Sequence, residues 1–189
     1  MRLTIRSTFA GAIALLMAAT VSAQGQQTQS QAQNTTLTSS DRTFLMTAGQ
    51  GGHAEVMLAE LAQKKATNDQ VKALAQRLHK DHSANNQELK ALASAKGVNV
   101  PMTLDKEHQQ LHDRLEKLEG ASFDREYATA MVGGHKKMIA LYEQAASSKD
   151  AQVKAYAEKT LPTLQEHLKM AQQAQAAVGG ATSTSGTPK

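Results

Sequence analysis

Apolar residues recur every three or four positions along five stretches of this chain, and no alternating apolar-polar run competes with that spacing. The pattern predicts an all-α protein. A first helix is expected over about 41–65. A second begins at a capping-box signal, Thr67 and Gln70, and stops at Lys96-Gly97, with glycine just past the last turn. Its apolar stripe is Val71, Leu74, Ala75, Leu78, His82, Leu89 and Leu92. After a loop broken by Pro101 comes a shorter helix, striped by Leu104, His108, Leu111, Leu115 and Leu118 and closed by Gly120. Ser122 is placed to cap a long helix with the stripe Phe123, Tyr127, Met131, His135, Met138 and Tyr142. Ser147 and Asp150 restart the chain for a last helix through Val153, Ala157, Leu164, His167 and Ala171. Pro162 lies inside it and should kink it, because it removes a backbone donor.

The segment 97–120 holds a helix of its own and is long enough to cross the length of a bundle. Two antiparallel hairpins joined by one long crossover form the ferritin-like arrangement. The expected fold is therefore a ferritin-like four-helix bundle with a short crossover helix, its second and third long helices parallel. One gapless offset aligns Gly51-Gly52-His53 with Gly133-Gly134-His135, and Gln70-Val71-Lys72-Ala73 with Gln152-Val153-Lys154-Ala155. Duplication of a hairpin would produce this match, and so would the shared composition of Ala-rich helices. With three Phe, three Tyr and no Trp, the core should be thin and the helices close together.

The ends read differently from the middle. Arg2 and Arg6 precede an apolar run from Phe9 to Ala19, and Val21-Ser22-Ala23 offers small residues for cleavage. That run is too short to span a bilayer, so residues 1–23 read as an export signal. Residues 24–39, rich in Gln, Thr and Ser, read as a disordered linker, and 179–189 as a disordered tail. The folded domain should occupy 40–178. With no Cys, the chain has no disulfide, thiolate ligand, Cys nucleophile or site for a lipid anchor. Two of the 21 basic residues fall in the signal, and 17 acidic residues oppose the rest with signs interspersed. No basic stripe interleaved with aromatics appears, so a nucleic-acid partner is not expected. No further segment is apolar enough to be an integral membrane span. A periplasmic or otherwise exported, soluble protein is expected, its protein partner or homo-oligomeric state unspecified.

Against this background one constellation carries chemistry. Each long helix places one ionisable residue in its apolar stripe: Glu55, His82, His135 and His167. In the crossover topology their heights along the bundle differ by roughly 8 Å at 1.5 Å per residue, which side chains can bridge. By ligand type they suit zinc, copper or iron. Asp81, Asp124 and Tyr127 are the expected supports of the centre, with Glu166 a further carboxylate within reach. The competing reading is a hydrogen-bonded network that only fixes helix register. Met131 and Met138 flank His135 and would tolerate copper, although core packing explains them equally. His79 lies off the main stripe, His53 matches His135 only through the repeat, and His108 and His112 sit as an i, i+4 pair on the crossover helix. No nucleophile elbow, phosphate-cradling loop or Ser/His/Asp set appears, so no catalytic residue is assigned.

Several pieces carry a family resemblance: Ala54-Glu55-Val56, Lys80-Asp81-His82, Phe123-Asp124 with Tyr127, Gly134-His135, and Leu161-Pro162-Thr163-Leu164 followed by His167-Leu168. Between Phe44 and Ala171 the chain resembles a family of exported bacterial proteins catalogued as domain of unknown function 4142. Its members are often labelled outer membrane proteins and are assigned a ferritin-like bundle. The resemblance implies export and that fold, and no established activity. Nothing in the sequence forms a barrel or an anchor that would explain the outer-membrane label. Ferritin-like di-iron sites use Glu-x-x-His on two helices. No such spacing exists here, which argues against an oxygen-activating di-iron enzyme. Two functions are open: a bundle that binds a transition metal at its His/Glu centre, and a non-catalytic structural or stress-associated protein.

Overall fold

The computed structural model describes residues 37–179. The expected signal 1–23, most of the expected linker and the tail beyond Gly179 lie outside the described residues. Five helices follow one another: α1 (Ser39–Lys65), α2 (Asp69–Ala95), α3 (Lys106–Glu116), α4 (Gly120–Ala145) and α5 (Ala151–Gly179). No strand occurs among the described residues.

Helix starts differ from expectation in instructive ways. α1 opens at Ser39, inside the stretch read as linker, through a complete capping box. Asp41 N–H donates to Thr38 Oγ1, and Thr38 N–H donates to Asp41 Oδ2, both at 3.1 Å. The expected Thr67/Gln70 box does not form. Asn68 caps α2 instead, accepting from the backbone of Gln70 at 2.9 Å. Thr67 is drawn away because its backbone N–H and hydroxyl both donate to Asp124 of α4. Nor does Ser122 cap α4. That helix begins two residues earlier, at Gly120, whose φ of 56° makes the reversal that a side-chain-bearing residue would resist. The α2 stop is as read: Gly97 at φ 67°, with Val98 N–H on Ala93 carbonyl and Gly97 N–H on Ser94 carbonyl, closes a Schellman turn. Asp150 caps α5, accepting from Gln152 and Val153.

Two apolar clusters reveal the topology. One joins the end of α1 (Leu58, Ala62), the start of α2 (Val71, Leu78), the start of α4 (Phe123, Met131) and the end of α5 (Ala171, Val178). The other joins the start of α1, the end of α2, the end of α4 and the start of α5. Hence α2 and α4 run parallel, each antiparallel to its hairpin partner. Within the hairpins α1 packs on α2 and α4 on α5; between them α2 meets α5 and α1 meets α4. Alanines at the contacts, such as Ala59, Ala75, Ala128 and Ala157, are fully buried and let the backbones approach. Carboxylates tie the hairpins at both ends. Asp124 holds the α1–α2 turn, and Asp41 accepts a 2.6 Å hydrogen bond from Ser148 in the α4–α5 turn. No helix among the described residues is long and apolar enough to cross a membrane.

Candidate metal centre

The boundary between the two apolar clusters is polar. There α2 contributes His82, α4 contributes His135 and α5 contributes His167, each at most 3% exposed. Their ring centroids are 5.1–5.7 Å apart. One ring nitrogen of each lies within 4.8 Å of one from each of the others. The helical stripes explain the placement: each histidine occupies an inward position of an otherwise apolar face, as Leu78, Met131 and Leu164 do nearby.

Hydrogen bonds fix the protons. His135 Nδ1 lies 2.9 Å from Met131 carbonyl oxygen, which can only accept, so the proton is on Nδ1 and Nε2 carries a lone pair. His167 Nε2 lies 2.9 Å from Asp81 Oδ2. Burial works against the Asp81 charge, but hydrogen bonds from Arg77 and His167 prevail and hold its carboxyl below the usual value of 3.8. It is therefore an acceptor, and His167 keeps its lone pair on Nδ1. The atoms left over, His82 Nε2, His135 Nε2 and His167 Nδ1, are buried with no partner among the described residues. Burial pushes His82 well below its ordinary 6.5, and the neighbouring His135 and His167 push the same way. Burial also lowers His167, against the pull of Asp81. His82 and His167 are therefore neutral near pH 7, the form that ligates metals.

Not every expected residue joins. Glu55 is buried on α1, but its Oε1 approaches His135 from the Nδ1 side at 3.8 Å, where the proton is already committed to Met131. It is not one of the three converging groups. Burial raises its carboxyl, with His135 and His108 opposing. Asp81 Oδ2 lies 2.9 Å from His167 Nε2. Asp124 lies elsewhere: it sits about three turns from His135 and serves the α1–α2 turn, because its three acceptor contacts there outweigh any reach inward. Tyr127 stacks on Phe123 at 5.8 Å and bonds no histidine. Its hydroxyl is buried without a partner, and burial and the nearby Glu55 charge push it well above 10. Glu166 is exposed and pairs with Arg77 at 3.2 Å.

The sequence reading missed two supports. Arg77 grips Asp81 one turn along α2, a spacing that was legible. Met131 acts through its backbone carbonyl, which no side-chain pattern announces. The other histidines stay apart: His79 faces Glu60 at 3.4 Å, and His108 pairs with Asp105 at 2.7 Å. A half-exposed His112, Asp113 and Glu116 group lies on α3. A cleft of about 320 Å³ between α2 and α5 has His82, His167 and Asp81 in its wall, with Glu88 and Lys159 beyond, and gives the centre a solvent route.

Residues 26–174 match the family described as "Domain of unknown function (DUF4142)", and the chain belongs to that family. No curated protein matches by sequence. Among solved structures, a DUF305 fragment from Deinococcus radiodurans is similar at 14% identity and a TM-score of 0.64, covering 76% of this chain and 97% of that one. CopM in its Cu(II)-bound form is similar at 18% identity and a TM-score of 0.62, covering 72% and 96%. The Cu(I)-bound form of CopM gives the same identity and score over 74% and 98%. At these identities the likeness is one of fold.

Proposed function

We propose that this family member is an exported transition-metal-binding bundle of the ferritin-like kind, with His82, His135 and His167 as ligands. The observation that carries it is the proton count at the centre. His135 and His167 each spend their only proton outward, on Met131 carbonyl and on Asp81. Two lone pairs then face the centre, and His82 has one proton at most to offer. A register-fixing network needs as many donors as acceptors, and this centre is short of donors. A cation satisfies all three nitrogens at once. The outward bonds are those that orient metal-bound imidazoles, with a carboxylate on one ring and a carbonyl on another.

Three imidazoles suit copper and zinc, and the shared fold with a protein solved in Cu(II)- and Cu(I)-bound forms makes copper the first ion to test. Ferritin-like is favoured over a simple up-down bundle by the parallel α2 and α4. Export is favoured by the short basic and apolar segment at the N-terminus and by the family resemblance. No catalytic step is assigned.

The test uses untagged chain loaded with Cu(I), Cu(II) or Zn(II), desalted and assayed for metal. About one tightly held ion per chain is expected, and none in His82→Ala. No bound ion in the wild type, or full retention in His82→Ala, would overturn the proposal and return the centre to a structural role.

A further inference from the structure

Glu55 has no task in the three-histidine centre. It lines a cavity of about 590 Å³ between α1, α3 and α4, whose apolar walls include Leu58, Leu111, Met138 and Leu141. Two ion pairs line it, Lys137 with Glu107 at 2.7 Å and Arg114 with Glu126 at 3.8 Å, and the His108 ring lies 2.7 Å from Asp105. Glu55 is 7% exposed, and its Oε2 has no partner among the described residues. His135 Nδ1 is 3.8 Å from the other oxygen and is engaged with Met131.

The chemistry of an occupant follows. An anion would meet the Glu55 carboxylate and be repelled. A purely apolar ligand would fit the walls and leave Oε2 still unsatisfied. A primary ammonium brings both a charge and N–H donors, and charge-assisted bonds are about twice as strong as neutral ones. An apolar body on that ammonium would cover the leucines, in a volume typical of small-molecule sites. We propose that this cavity binds a small primary amine, its ammonium on Glu55 and its apolar body against Leu58, Leu111 and Met138. The site adjoins the metal centre at Glu55, 3.8 Å from His135, but lies between α1, α3 and α4, whereas the metal centre opens through the α2–α5 cleft.

The experiment titrates the full, metal-free chain with hexylammonium, hexanoate and hexanol, followed by amide chemical shifts. Saturable binding of hexylammonium is expected, with shifts centred on α1, α3 and α4, at least tenfold tighter than hexanol and with no hexanoate binding. Glu55→Gln should weaken hexylammonium at least tenfold. Gly133→Phe, at a lining position where a Cβ would meet nothing within 4 Å, should block the cavity while leaving Glu55 in place. His82→Ala should bind the amine as wild type does, so failure of the metal reading would not touch this one. No saturable binding, equal binding of hexanoate, unchanged affinity in both Glu55→Gln and Gly133→Phe, or loss of binding in His82→Ala would each overturn it.

Discussion

Gly-Gly-His occurs twice, at Gly51-Gly52-His53 on α1 and at Gly133-Gly134-His135 on α4, and the two copies do different work. In α1 both glycines are buried. A Cβ on Gly51 would stand 2.4 Å from Met138 Cε, and one on Gly52 would stand 2.1 Å from Asn86 Oδ1. His53 is only half-buried and stays outside the centre. In α4 a Cβ on Gly133 would meet nothing within 4 Å, and His135 is buried in the three-histidine cluster. The same tripeptide therefore packs a helix in one hairpin and presents a buried histidine to the three-histidine cluster in the other. The second histidine of α4–α5, His167, has Asn85 as its counterpart in α1–α2. The site is thus built mainly by one hairpin, with His82 the contribution of the other. Identical local sequence sets helix and phase; the neighbour across the interface decides what the phase is used for.

That contrast breaks most sharply at the histidines. With metal at about 100 times its Kd, a single site should stabilise the wild type by roughly 2.7 kcal/mol. His135→Ala should lose this stabilisation and His53→Ala should keep it, read from thermal melts with chelator and with copper or zinc. A wild type indifferent to metal would remove the functional half of the comparison. If His135→Ala then cost about 1–3 kcal/mol regardless of metal, a hydrogen-bond network would be the better account. The same melts carry a pH signature. Folding lowers the pKa of His82 and His167, so below 6.5 the unfolded chain binds more protons than the folded one. Their contribution is complete above 6.5 and is lost as pH falls from 6.5 toward the depressed folded values. A metal-free chain whose stability rose on acidification through that window would contradict the burial of neutral imidazoles.

Next come the glycines. Gly51→Leu should cost about 1–3 kcal/mol, because Met138 and the α1–α4 contact must move to admit the side chain. Gly133→Leu should fall within about 1 kcal/mol of wild type and on the stabilising side, since leucine is a better helix former. Urea midpoints at constant slope would measure both. Equal costs would mean that the two copies of the motif are packed alike.

The smallest effect is at Gly133 itself. Gly133→Ala should stabilise by about 0.5–1 kcal/mol, the backbone entropy of a helical glycine with no steric cost set against it. Gly51→Ala should return less of that gain, because the Met138 methyl must swing aside. A larger gain at Gly51 than at Gly133 would reverse the assignment of which glycine is there for packing.

Much of the fold was legible because helical periodicity is a local property. The stripes through Leu74, Leu78, Phe123, Met131 and Leu164 are buried as read, and Gly97 closes α2 as read. The capping error at Thr67 arose where a distant residue intervened, and that at Ser122 where the positive φ of Gly120 starts the helix earlier. Asp124 takes Thr67 across the hairpin boundary, and no window on α2 contains Asp124. Of the four residues expected at the centre, the three histidines converge and Glu55 does not. The face of His135 that Glu55 would meet depends on how α1 is rotated against α4.

The sequence by itself determined the helices, their inward faces and the ionisable residue on each long helix, because a 3.6-residue period and glycine's access to positive φ are consequences of covalent structure. Only the tertiary structure decided which nitrogen of His167 keeps a lone pair, since that follows from the Asp81 carboxylate lying across the α2–α5 interface. It also decided that Glu55 faces a cavity rather than the three histidines. Both are matters of an ångström or two between helices far apart in the chain, and no local pattern records such distances.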